Sequence, residues 1–163
     1  RRGQLLHALF EKLPSVAPDR REATAAAWLS RTAPELTAAA RSRLADIALG
    51  IIEAPRFAAL FGPDALAEAP IVATVGSLVI AGTVDRLLVG PDRVQLIDFK
   101  TGAAVPDDAD GVAPYYLRQM AAYVAALQRI FPGRAVDAAL LYTHRATLIE
   151  LPAALLARHA PGG

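Results

Sequence analysis

The run from Gly82 to Gly102 constrains this chain most: Gly82-Thr83-Val84-Asp85-Arg86-Leu87-Leu88-Val89, a turn at Gly90-Pro91-Asp92-Arg93, then Val94-Gln95-Leu96-Ile97-Asp98-Phe99-Lys100-Thr101-Gly102. Val, Leu and Ile crowd both flanks and the joining residues supply turn geometry, so the pattern predicts a β-hairpin. Side chains alternate along a strand, which sets Asp98 and Lys100 on one face with Val94 and Leu96. Antiparallel pairing across the turn brings Asp85 near Asp98, although a bulge at Gly82 or in the turn would shift the register by one residue. Two carboxylates and an ammonium then converge on an otherwise apolar sheet. Ionised groups there are costly unless they pair or hold a metal.

A lone D-x-K tripeptide reads first as a neighbouring-residue salt bridge at a strand end, with Asp85 paired to Arg86 or Arg93. Composition argues for more. Of the 17 basic residues 15 are Arg, leaving only Lys12 and Lys100. In a chain so biased, a Lys beside two Asp marks a position that wants a compact point charge rather than a planar fork.

Around the hairpin the periodicity divides the chain. Leu5, Leu6, Leu9, Phe10 and Leu13 recur at helical spacing from about Gly3 to Leu13, with His7 inside that helix and Pro14 ending it. Asp19 to Ser30 and Pro34 to Ile52 read as two more helices, and Phe57 to Leu60 as a short one. From Glu68 the period changes, and Ile71–Val75, Leu78–Val89 and Val94–Lys100 form an antiparallel meander with a tight turn at Gly76-Ser77. Thr101 to Pro114 is polar and reads as a mobile loop at the mouth of a site. Pro114 opens a strong helix, with Leu117, Met120, Val124, Leu127 and Phe131 on one stripe and Tyr116, Gln119 and Tyr123 on the next. That helix is long enough to return Val136–Tyr142 parallel to Val94–Lys100. Thr147–Leu151 reads as an edge strand and Pro152–His159 as a last helix. The expected fold class is α/β, a mixed sheet flanked by helices. One domain over 1–163 is expected, a helical part at 1–67 and a sheet core at 68–163.

With 163 residues, 54% of them hydrophobic, the chain can bury a real core. A net charge of +1 announces no strong field for an anionic polymer, so such a ligand would be gripped locally or by a partner. The absence of Cys excludes disulfides, thiolate zinc, iron–sulfur clusters and a cysteine nucleophile. No apolar run reaches 18 residues, which predicts no membrane span and a cytoplasmic protein. The sole methionine is Met120, so the chain is expected to be part of a longer one.

His7 on a helix, G-x-x-D at Gly82–Asp85, D-x-K-T at Asp98–Thr101 and Q-x-x-x-Y at Gln119–Tyr123, in that order, resemble the RecB-like branch of the PD-(D/E)XK nucleases. Within it the chain is most similar to the C-terminal nuclease domains of AddA-type helicase-nucleases, above all from Glu68 to Tyr142. Val84 stands before Asp85, as is usual in that branch. The resemblance implies a restriction-endonuclease-like fold and a Mg²⁺- or Mn²⁺-dependent DNA nuclease. Its substrate would be single-stranded DNA delivered by the helicase part of the same chain, in double-strand-break repair and recombination. The implied partners include an AddB-type subunit, and the implied location is the bacterial cytoplasm, at the nucleoid.

By the same resemblance Asp85, Asp98, the main-chain carbonyl of Phe99 and His7 would hold the metal. Hard oxygen donors suit Mg²⁺ and Mn²⁺, and the histidine nitrogen tilts affinity toward Mn²⁺. Lys100 would orient the attacking water and stabilise charge on the phosphate, with Gln119 and Tyr123 near the lysine and the DNA. Glu68 reads first as a solvated strand end and second as an acidic contact beside the ligands. His144 and His159, with no motif around them, read as structural or exposed. Two other functions fit the same residues: an inactive nuclease fold used for docking or DNA binding, and a stand-alone RecB-like exonuclease. The intact Asp85, Asp98 and Lys100 argue against the first.

Overall fold

The computed structural model describes residues 1–162. Five strands form one mixed sheet in the order β1-β2-β3-β4-β5: β1 (Ala65–Val75), β2 (Leu78–Val89), β3 (Arg93–Lys100), β4 (Ala135–Tyr142) and β5 (Thr147–Leu151). All neighbours are antiparallel except β3 and β4, which run parallel through the crossover helix α4 (Pro114–Ile130). This is the expected mixed meander with a parallel return. Helices α1 (Arg2–Lys12), α2 (Arg21–Thr32) and α3 (Ala38–Ile52) cover one face; α4 and the short α5 (Ala153–Ala157) cover the other.

The burial pattern explains the layers. Ile97 and Phe99 face the three-helix layer and pack with Leu6, Phe10 and Phe61, whereas Val94 and Leu96 face α4 beneath Leu117, Met120 and Leu127. Asp98 and Lys100 share the parity of Val94 and Leu96, so they belong to the α4 face. Helix α3 starts at Ala38, later than Pro34, because Thr37 supplies the N-cap and accepts from the Ala40 amide at 3.2 Å. Strand β1 starts six residues earlier than Ile71. Pro70 and Glu68 hide it in the sequence, yet an edge strand tolerates a proline. Glu68 is therefore inside a strand and not at its end. The loop after β3 is tied down at its far side, where Val112 is buried and Asp108 Oδ1 accepts from the Gly111 amide at 3.1 Å.

The hairpin of β1 and β2 carries one irregularity. Val84 and Leu87 both enter the core under α4, while Arg86 and Leu88 face the other layer, so alternation slips by one residue at Asp85. Pairing does not slip: Ala67↔Arg86 and Ala69↔Val84 keep one register on either side. The partner position on β1 is Glu68, whose φ of 48° is left-handed. A single left-handed residue turns the pleat over without adding a residue to the ladder.

Candidate active site

The site forms where β2 and β3 part. Their ladder ends at Arg86↔Ile97, and the next pair in register would be Asp85 with Asp98. There the Asp85 carboxylate replaces the ladder, its Oδ2 accepting from the Phe99 amide at 2.6 Å. The other oxygen, Oδ1, lies 3.0 Å from His7 Nδ1. The sheet thus opens a gap that reaches α1 on one side and α4 on the other. No bulge interrupts the ladder between Val89↔Val94 and Arg86↔Ile97.

Helix α1 is held against this gap by four features. The Phe99 ring packs 4.8 Å from Phe10 and edge-on to His7 at 5.8 Å between ring centroids. Arg86 donates from Nη2 to the Phe10 carbonyl, one of the orphan acceptors at the helix end, with its guanidinium 5.1 Å from the Phe61 ring centroid. Near the other end, a Cβ on Gly3 would sit 2.7 Å from Thr101 Oγ1, so glycine permits the close approach of helix and loop. Arg2 adds a hydrogen bond to the Thr101 carbonyl at 2.8 Å. The pairing of Asp85 with Arg86 or Arg93 is corrected accordingly: Arg86 serves the helix, and Arg93 pairs with Asp137 at 3.0 Å.

On the α4 side Lys100 Nζ stands 2.5 Å from Asp98 Oδ2 and donates to Gln119 Oε1 at 3.1 Å, 3.9 Å from the centroid of the Tyr116 ring. The D-x-K salt bridge is present, but buried: both side chains are 10% exposed. Tyr123, one turn after Gln119, lies over Gly82 and so joins the Q-x-x-x-Y and G-x-x-D segments. A cleft lined by Lys100, Tyr116, Tyr142, Val105 and Pro106 leads away under the loop after β3.

Electrostatics follow the geometry. Burial, reinforced by the charge of Asp85, raises the Asp98 carboxyl above its ordinary value, with Lys100 opposing. The hydrogen bond to Asp85 raises His7 against its own partial burial. Burial and Asp85 raise Glu68. The donor atoms of His7, Glu68 and Asp85 lie within 4.8 Å of one another. This mixed oxygen and nitrogen set fits a divalent cation. Phe99 brings its amide to Asp85 directly. His144 and His159 lie outside this cluster.

Gln119 contacts Lys100, whereas Tyr123, expected near the lysine and the DNA, packs over Gly82. Gly3, Arg86, Thr101 and Tyr116 were missed as parts of the site. A glycine inside a helix, four residues before His7 on the same face, was the one available signal for Gly3.

A mixed five-stranded sheet between helices, with a buried Asp–x–Lys at the opening between two strands, defines a nuclease of the PD-(D/E)XK type. The family model of the PD-(D/E)XK nuclease superfamily matches residues 1–156, and the chain belongs to that superfamily. No curated protein matches the chain significantly. Among solved structures, a "putative exonuclease" from Eubacterium rectale superposes with a TM-score of 0.59 at 14% identity, over 92% of this chain and 62% of the other. The chain thus spans about three fifths of that protein's length. The structure of SSO0001 aligns over 96% of this chain and 82% of its own at 18% identity, with a TM-score of only 0.40. Nucleases of this superfamily act on DNA with divalent metals. No helix among the described residues is long and apolar enough to cross a membrane.

Proposed function

We propose that this chain is the nuclease domain of an AddA-type helicase-nuclease, hydrolysing phosphodiester bonds of unwound single-stranded DNA during double-strand-break repair. The observation that carries the chemistry is the opening between β2 and β3, where Asp85, Asp98, His7 and Lys100 gather from three segments of the chain. Asp85, Asp98, His7 and the Phe99 carbonyl would hold Mg²⁺ or Mn²⁺, which supplies Lewis acidity toward the phosphoryl oxygens. The Lys100 ammonium, fixed between Asp98 and Gln119, presents its remaining proton to the attacking water and to the phosphate as negative charge builds. Because Lys100 is buried in an arranged site, little reorganisation accompanies that charge. Gln119 fixes Lys100, and Tyr123 fixes the packing of α4 on β2.

Support for the helicase setting is the resemblance of the four motifs, together with a net charge of +1, which leaves the grip on DNA to an attached motor and an AddB-type partner. A second reading is a stand-alone exonuclease; the E. rectale neighbour, which shares the fold, is described as a "putative exonuclease". The test is cleavage of end-labelled linear and of circular single-stranded DNA with Mg²⁺, Mn²⁺ or EDTA, by the chain and by Asp98→Ala. Metal-dependent cutting of linear DNA that disappears in the variant supports a nuclease at this site. Robust processive digestion without a motor favours the stand-alone enzyme. Cutting that survives Asp98→Ala would refute the assignment.

A further inference from the structure

The nuclease reading assigns the cation to Asp85, Asp98, His7 and the Phe99 carbonyl; resting on that reading, we infer that Glu68 is a direct ligand of the same ion. Glu68 lies opposite Asp85 in the β1–β2 ladder, between the pairs Ala67↔Arg86 and Ala69↔Val84. Its carboxylate, the Asp85 carboxylate and a ring nitrogen of His7 all lie within 4.8 Å of one another. Ligand atoms at roughly 2.1 Å from an octahedral Mg²⁺ stand about 3 Å apart when adjacent and about 4.2 Å when opposite. The three donors are therefore a small side-chain adjustment from a common ion.

What surrounds Glu68 strengthens the assignment. Among the described residues no basic side chain forms a salt bridge with it: Arg86, the nearest candidate by sequence register, turns away to the Phe10 carbonyl. A carboxylate is thus held beside a second carboxylate with no salt bridge of its own, the Arg86 and His7 charges acting on it without ion-pair contact. The backbone that places it is itself unfavourable, since a φ of 48° at a non-glycine residue inside a strand brings Cβ close to the carbonyl oxygen. That same residue marks the point where the pleat turns over and Asp85 gains access to α1. Such local strain is found where geometry serves a site. Finally, Glu68 and His7 share an open cleft with Gln4, Ala8 and Glu11, which leaves room on the ion for water or a phosphate oxygen.

The structure therefore assigns Glu68 to the ion from the side opposite Asp98, which stays engaged with Lys100. A ligand from β1 would also tie the edge strand of the sheet to the chemistry.

The experiment is calorimetric titration of the whole chain with Mn²⁺, alongside thermal melting in EDTA. Glu68→Gln should weaken Mn²⁺ binding by at least about tenfold while melting in EDTA at or above the wild-type temperature, since the repulsion from Asp85 is removed. Glu68→Asp keeps the charge but withdraws the carboxylate by one methylene, and should weaken binding similarly. Glu68→Gly, relieved of its left-handed strain, should melt at or above the wild-type temperature and still bind poorly. Wild-type affinity in Glu68→Asp would overturn the inference, reducing Glu68 to a source of field. Wild-type affinity in Glu68→Gln, with binding lost in Asp85→Asn, would remove Glu68 from the site and leave the nuclease reading intact. Undiminished binding in Asp85→Asn would overturn both.

Discussion

The Tyr123 ring occupies the space that a side chain at position 82 would need: a Cβ built on Gly82 would stand 2.5 Å from Oη and 2.7 Å from Cε1. Two motifs 34 residues apart at their nearest ends (Gln119 minus Asp85) are thus one packing unit. Gly82→Ala should destabilise the protein by about 1–3 kcal/mol through overpacking. The same substitution in a Tyr123→Ala background should cost clearly less, because the obstructing ring is gone. Urea unfolding of the four proteins of the cycle measures the coupling, and additive effects would contradict the contact.

Arg86 fastens α1, and with it His7, to the sheet. Lysine at this position keeps the charge but loses the planar group above Phe61 and the reach to the Phe10 carbonyl. Arg86→Lys should therefore cost about 1.5–3 kcal/mol, the usual worth of a charge-assisted hydrogen bond. It should also weaken Mn²⁺ binding although no donor atom has changed. Melting curves that match the wild type would show that α1 is held by packing alone.

The His7–Asp85 contact gives the metal-free protein a pH dependence with a definite sign. The folded-state pKa of His7 is raised above 6.5, chiefly by its hydrogen bond to Asp85. Its contribution to stability is fully present below the unfolded value and is lost as pH rises through the higher folded value. Melting temperatures in EDTA should accordingly fall across that window, and His7→Gln should flatten the fall. A cation competes with the same proton, so Mn²⁺ affinity should increase over the same window. A wild-type slope retained in His7→Gln would place the titration elsewhere.

In the proposed chemistry Lys100 acts through its geometry as well as its charge. The ammonium sits between Asp98, Gln119 and the Tyr116 ring, contacts set for a compact point charge and not for the longer planar guanidinium. Lys100→Arg should retain Mn²⁺ binding yet lower kcat by about 10²–10³, the typical loss of one arranged charge-stabilising donor. Single-turnover cleavage at saturating metal separates the two effects. Activity near wild type would mean that any cation suffices there.

How legible these features are in the sequence follows the range of the interactions that create them. Strand β2 runs from Leu78 to Val89 in both the sequence pattern and the structure, since turn residues bound it on each side. The parallel return of β4 follows from the length of α4. The start of β1 is hidden because Pro70 breaks the period and the left-handed Glu68 inverts it. Glu68 itself reads as a solvated strand end only while the strand is thought to begin after it. The proximity of Asp85, Asp98 and Lys100 is written in alternation and a short turn. The approach of His7 depends on contacts of Gly3, Phe10 and Arg86 across up to 98 positions (Gly3 to Thr101), and motif order, not periodicity, is what points to it.

The opening between β2 and β3 has a consequence for how the enzyme comes into being on the ribosome. Among these elements helix α1 precedes the sheet, and its histidine has nothing to meet until β2 and β3 follow roughly eighty to ninety residues later. Strand β3 then still lacks its parallel neighbour β4, whose register with Asp98 and Lys100 runs through Leu140 and Tyr142. Pairing across such sequence distances is slow, because loop closure precedes the contacts that reward it. Until β4 is in place, β3 therefore lacks the neighbour that sets Asp98 and Lys100 beside Leu140 and Tyr142, and the proposed site is incomplete.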